Sequence, residues 1–124
     1  MIKDAPKFTW PAKGQIIKKY GLFGKGQHYD GIDIKIKKNQ PVYSSQSGKV
    51  AFVGSQLKKF GNLILIKHKK GWLTAYSNVG KYTVKQGDIV TKGQIISFGA
   101  SNKNSFHFQI RHNRNPVNPI NYLN

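Results

Sequence analysis

Ser105-Phe106-His107-Phe108-Gln109-Ile110-Arg111 decides the architecture. Apolar and polar side chains alternate strictly through it, and a period of two marks a strand with one buried face. Phe106, Phe108 and Ile110 therefore point to a core, while Ser105, His107, Gln109 and Arg111 share the opposite, polar face. The same period recurs along the chain. Ile32, Ile34 and Ile36 share a face against Asp33 and Lys35. Gly48 to Val53 and Gln94 to Phe98 read as strands, and Asn62 to His68 pairs with Trp72 to Ser77 as a hairpin. Its turn is Lys69-Lys70-Gly71, where Gly71 supplies the positive φ that such turns need. Val84 to Ile96 sets short apolar pairs between the turn glycines Gly87 and Gly93, a β-roll pattern, and no helix longer than a turn or two is evident. Gly21 to Gln27, with three glycines, reads as a mobile loop. It neither follows a strand nor opens a helix, so it is not read as a phosphate cradle. The expectation is an all-β antiparallel sandwich or β-roll, with residues 1–7 as a tail and 8–124 as one domain.

The 124 residues suit one domain that buries about 65% of the surface its unfolded chain exposes. With no cysteine, neither a disulfide framework nor a thiolate metal site is possible. Charge is extreme: 21 Lys and Arg oppose four acids, Asp4, Asp30, Asp33 and Asp88, giving a net charge of +17. Such a field draws in polyanions. Nineteen of the cations are lysine and are scattered over every strand and turn, without the aromatic-interleaved basic patch of a nucleic-acid binder, so nucleic acid is not the expected partner. The longest apolar run, Leu63 to Ile66, is four residues, far below the ~20 that cross a bilayer. No signal peptide is visible, and a protein working outside the cytoplasm is expected to carry its targeting segment beyond this sequence.

Two stretches carry candidate chemistry: the strand around His107, and His28-Tyr29-Asp30-Gly31-Ile32-Asp33. In the second, Tyr29, Gly31, Asp33 and Lys35 share a parity, and His28 falls on the other one. A single strand histidine is poor evidence for a metal. His68 and His112, near strand ends, are expected in solvated or capping roles.

The ordered series Phe8-Thr9-Trp10-Pro11, Gly31-Ile32-Asp33-Ile34, Pro41-Val42, Gly48-Lys49-Val50, Phe60 to His68, Thr74-Ala75-Tyr76, Val84 to Ile96, His107-Phe108 and Pro116-Val117-Asn118-Pro119 resembles the LytM/lysostaphin-type peptidoglycan metallo-endopeptidases from Phe8 to Leu123. Within that family it is most similar to the degenerate NlpD/EnvC-type amidase activators, NlpD in particular. The resemblance implies the LytM β-fold, the duplicated hybrid motif. It also implies a zinc site in active members, built from a His-x-x-x-Asp pair and the last histidine of His-x-His. Two further histidines act on the attacking water and the developing oxyanion. Carried over position by position, Asp33 and His107 match two of the ligands. Tyr29 stands at the first ligand position, and Asn78 and Ser105 replace the two catalytic histidines.

Catalytic zinc needs three protein ligands and an open position for water, and a positioned base must take a proton from that water. Asn78 and Ser105 are no such bases. The expectation is therefore a pseudo-peptidase with no catalytic residue and no cofactor. It would act in the cell envelope or periplasm by binding and activating an N-acetylmuramoyl-L-alanine amidase during peptidoglycan remodelling and daughter-cell separation. Tyr29, Asp33, Tyr76, Asn78, Ser105, His107, Gln109 and Arg111 are the expected partner groove. The alternative is a zinc endopeptidase cutting peptidoglycan cross-bridges with a rearranged site, in which His28 swings in beside Asp33 and His107 through a bulge. Binding of peptidoglycan or another anionic envelope polymer through the lysine surface is a third reading. A biotinyl or lipoyl carrier lacks its hairpin-tip lysine motif here.

Overall fold

The computed structural model describes all residues from Met1 to Asn124. The chain is all-β. Its twelve strands are β1 (Ile16–Lys18), β2 (Gly21–Phe23), β3 (Gln27–Tyr29), β4 (Ile32–Lys35), β5 (Pro41–Tyr43), β6 (Gly48–Gly54), β7 (Leu63–Lys67), β8 (Trp72–Ser77), β9 (Ile89–Val90), β10 (Ile95–Phe98), β11 (Ser105–His112) and β12 (Asn115–Val117). Only single 3-10 turns supplement them. The main sheet runs β1-β4-β11-β8-β7-β6-β9, with β12 also paired to β11. All of its strand pairs are antiparallel.

The stretch with the strictest alternation becomes the central strand. β11 pairs with β8 along one edge, while its other edge is shared by β4 over Ser105–Phe108 and β12 over Ile110–His112. Phe106, Phe108 and Ile110 are buried as their parity requires, together with Ile32, Ile34, Ile64, Ile66 and Tyr76. One contiguous cluster of 19 buried residues joins this face to Phe8, Val42, Val50, Val90 and Ile96, so a single core serves the whole chain. The first residues lie against that core: Ile2 donates its backbone N–H to Tyr122 Oη at 2.9 Å, and Ile2 and Ala5 pack on the cluster.

One expectation is corrected. Gly21 to Gln27 is a β2–β3 hairpin, in which Gly21 pairs with Tyr29 and Phe23 with Gln27. Gly24, Lys25 and Gly26 all take positive φ at its tip, so the glycines serve a tight turn between strands. The β7–β8 hairpin closes as its sequence indicates, with Gly71 at φ 81° and Lys70 also left-handed at φ 58°.

Candidate functional site

Register across four strands lays out the site. His107 pairs with Asp33 on one side and with Ser77 on the other, and Leu63 continues that row. Side chains two residues on along each strand return to the same face. The next row is therefore Gln109, Ala75 and Leu65, and the one after it Arg111, Leu73 and Lys67. A groove of about 1120 Å³ runs along this face. Leu63, Leu65, Leu73 and Ala75 form its floor, Tyr29, His107 and Asn78 lie at one end, and Arg111 and Arg114 at the other.

The first row is tied into a chain of side-chain hydrogen bonds. Tyr29 Oη donates to Asp33 Oδ1 at 2.7 Å, and His107 Nδ1 stands 2.7 Å from the same oxygen. Gln109 Nε2 lies 3.0 Å from His107 Nε2, and Arg111 Nη1 donates to Gln109 Oε1 at 2.7 Å. An amide nitrogen only donates, so His107 Nε2 accepts and Nδ1 carries the proton given to Asp33. Arg111 Nη2 then donates to the carbonyl of Arg114 at 2.8 Å, bracing a turn in which Asn113 and Arg114 both hold positive φ. Lys18 Nζ sits 3.9 Å from the Tyr29 ring centroid, over its π-face.

The electrostatics follow from these contacts. Partial burial raises the Asp33 carboxyl, but hydrogen bonds from His107 and Tyr29, with the electrostatic pull of the adjoining imidazole and of Lys18, outweigh it and hold it below the usual carboxylate value. Tyr29 moves the other way: burial, then the hydrogen bond to Asp33 and its negative charge, push the phenol well above its usual range. Tyr29 is thus a neutral donor.

Zinc, as the resemblance implies it for active members, is not fitted by these residues. Asp33 and His107 meet each other directly through Oδ1 and Nδ1 rather than converging on an ion. The third position holds a phenol whose proton is unusually hard to remove. His28 does not complete the set, because its Nδ1 is paired with Asp30 Oδ1 at 3.0 Å and its ring packs edge-on against Tyr20. No three His, Asp, Cys or Glu side chains converge elsewhere. No reaction step is derived through the metal.

Of the eight residues expected in the groove, the structure puts Tyr29, Asn78, His107, Gln109 and Arg111 on its lining. Asn78 ends β8 at φ 62°, a left-handed position that asparagine tolerates, and its N–H bonds to Phe60 O at 2.9 Å. Asp33 lies behind Tyr29 and His107, bonded to both. Ser105 is half-buried, paired with Lys35, and off the groove.

Tyr76 is a correction. It pairs with the core residue Phe108 and is fully buried. There its oxygen accepts from Ser45 N–H at 3.0 Å and bonds Thr74 Oγ1 at 2.8 Å. His68 is a second correction: it is half-buried, its side chain makes no cap to the 3-10 turn it precedes, and both ring nitrogens are bonded instead, Nδ1 2.7 Å from Ser47 O and Nε2 2.9 Å from Thr74 Oγ1. The sequence reading also missed the apolar floor. Parity on β7 and β8 carries that signal, because Leu63, Leu65, Leu73 and Ala75 alternate with the core residues Ile64, Ile66, Thr74 and Tyr76.

Comparison with known proteins agrees with this fold. The model of peptidase family M23 matches residues 27–119. The cell division protein DipM of Caulobacter vibrioides is 39% identical over 110 residues, 86% of this chain and 18% of that protein. The murein hydrolase activator NlpD of Escherichia coli is 36% identical over 119 residues, 94% of this chain and 31% of that protein. The chain thus spans less than a third of the length of either relative. Among solved structures, Helicobacter pylori Csd3 superposes with a TM-score of 0.86 at 25% identity, covering 95% of this chain and 35% of that one. The antimicrobial peptidase lysostaphin from Staphylococcus simulans gives 0.76 at 28%, covering 88% and 48%.

Proposed function

The chain belongs to peptidase family M23, and from that premise we propose that it is a non-catalytic member, a binding module that activates a cell-wall N-acetylmuramoyl-L-alanine amidase in the envelope. The observation that carries this reading is the relay from Arg111 through Gln109, His107 and Asp33 to Tyr29. It engages both remaining zinc donors in protein hydrogen bonds, while the groove beside them stays open to a partner. The name of NlpD, an activator of murein hydrolases, supports the same assignment.

The mechanism is one of population. An amidase whose active site is covered by its own segment exchanges between blocked and open forms. A module that binds the released segment favours the open form by its differential affinity alone. The groove floor supplies an apolar landing surface for such a segment, and Asn78 stands at its rim. A zinc endopeptidase would need a third metal donor and a base, and neither Tyr29 nor Asn78 supplies them.

The experiment is release of dye-labelled murein by purified amidases, with and without this chain. The chain alone, supplied with zinc, is expected to release none, and at least one amidase is expected to be stimulated. Asn78→Arg, which drives a long cation across the rim, is expected to abolish stimulation, while Asn78→Ala, which bears the same left-handed strain at φ 62° and controls for lost stability, keeps it. Zinc-dependent release by the chain alone, or full stimulation by the Asn78→Arg variant, would overturn the assignment.

A further inference from the structure

The groove is electrically polarised along its length. At the Tyr29 and Asn78 end charge is close to balanced: Asp30 lines it and Asp33 stands behind Tyr29 and His107, against Lys59 on the lining and Lys18 over the Tyr29 ring. Asp4 and Asp88, the chain's other acids, do not line it. Its third row holds Lys67 and Arg111 on either side of Leu73, and Arg114 follows at the adjoining turn. Three cations therefore stand at one end with no carboxylate among them. Four residues of β11 separate His107 from Arg111, about 13 Å at strand rise.

Arg111 is fixed before any ligand arrives. Its two terminal nitrogens each donate one hydrogen bond, to Gln109 Oε1 and to Arg114 O. That leaves three of the five guanidinium N–H groups free for an acceptor. The relay anchored on Asp33 thus holds a positive group in the groove, and a fixed guanidinium is well suited to a carboxylate. The backbone is left-handed at both Asn113 and Arg114, a conformation that non-glycine residues seldom adopt. Arg111 braces it from the groove side.

We infer that the groove takes an acidic, amphipathic segment of the amidase partner, with apolar side chains on Leu63, Leu65, Leu73 and Ala75 and a carboxylate seated between Lys67, Arg111 and Arg114. This rests on the activator reading, and it adds the chemistry and direction of the occupant. The acidic end of the segment lies about 13 Å from the Asp33–His107 pair, and its uncharged or basic end lies beside Asp30. Charge complementarity at this seat fixes the register in which the apolar residues land.

The test uses the full chain, an amidase it stimulates, and two variants. Lys67→Glu/Arg114→Glu reverses two of the three cations and leaves Arg111 and its relay in place. Ala75→Arg blocks the floor. Both are checked for an unchanged melting temperature. The charge variant is expected to lose about tenfold or more in apparent affinity for the amidase, and lysine in place of one acid in the amidase's blocking segment is expected to restore it. Loss with Ala75→Arg alone, while the charge variant stimulates like wild type, would overturn the acidic seat and leave the groove reading standing. Wild-type stimulation by both variants would overturn both.

Discussion

At Tyr29 a phenol decides what the site is. Its hydroxyl bonds Asp33 Oδ1, and its ring centroid lies 4.9 Å from that of His107, so an imidazole placed there would stand beside both Asp33 and His107. Tyr29→His is therefore expected to bind zinc in a titration where chelator-stripped wild type binds weakly or not at all. Equal affinities would mean that the backbone at residue 29 no longer aims into the site. A second residue governs pH dependence. His68 is held neutral: its Nδ1–H donates to Ser47 O, and its Nε2 accepts from Thr74, whose oxygen accepts from Tyr76. Burial lowers its pKa, against a smaller rise from the Ser47 carbonyl. The unfolded chain, near 6.5, thus takes the proton first. His68 contributes stability above about pH 6.5 that is lost as pH falls toward its folded value. Urea melts between pH 7 and pH 5 should show a falling midpoint for wild type and a shallower fall for His68→Gln. Parallel slopes would remove His68 as the cause.

Gly31 immediately precedes β4 at the seam with β11, and the seam has no room for a side chain. A Cβ there would collide with the carbonyl oxygen of Phe108 and stand 2.8 Å from both Gln109 Cγ and His107 Cε1. Gly31→Ala is expected to lose about 1–3 kcal/mol in denaturant unfolding and to displace His107, seen as a shifted imidazole resonance. Gly87→Ala is the comparison, since its added Cβ meets nothing within 4 Å and its cost is the strain of φ 94°. At this scale the sequence was readable wherever one strand face is polar. Parity placed His107, Gln109 and Arg111 correctly because Phe106, Phe108 and Ile110 leave only one buried face for β11. It fails on β8, where Leu73 and Ala75 are nearly as apolar as Trp72 and Tyr76, so alternation does not reveal that Tyr76 belongs to the core and not to the groove. The relay itself was not readable. The family resemblance implies that Asp33 stands near His107, but which atoms pair is set by side-chain rotamers that a sequence pattern does not encode.

Across the whole molecule a net charge of +17 repels itself, and a 19-residue apolar cluster holds against it. Salt screens that repulsion over about 8 Å at physiological strength, so two affinities of this chain should separate as salt rises. Retention on a heparin column draws on the scattered lysines and should be lost by a few tenths molar salt. The proposed amidase stimulation should draw on the apolar floor of Leu63, Leu65, Leu73 and Ala75, which salt does not weaken. Only the part supplied by Lys67, Arg111 and Arg114 should fade. Stimulation is therefore expected to fall with a shallower salt slope than heparin retention. Identical slopes would mean that the charge, rather than the shaped face of β7, β8 and β11, recruits the partner. The lysine surface would then be the functional element of this fold, and the groove a remnant of the peptidase site.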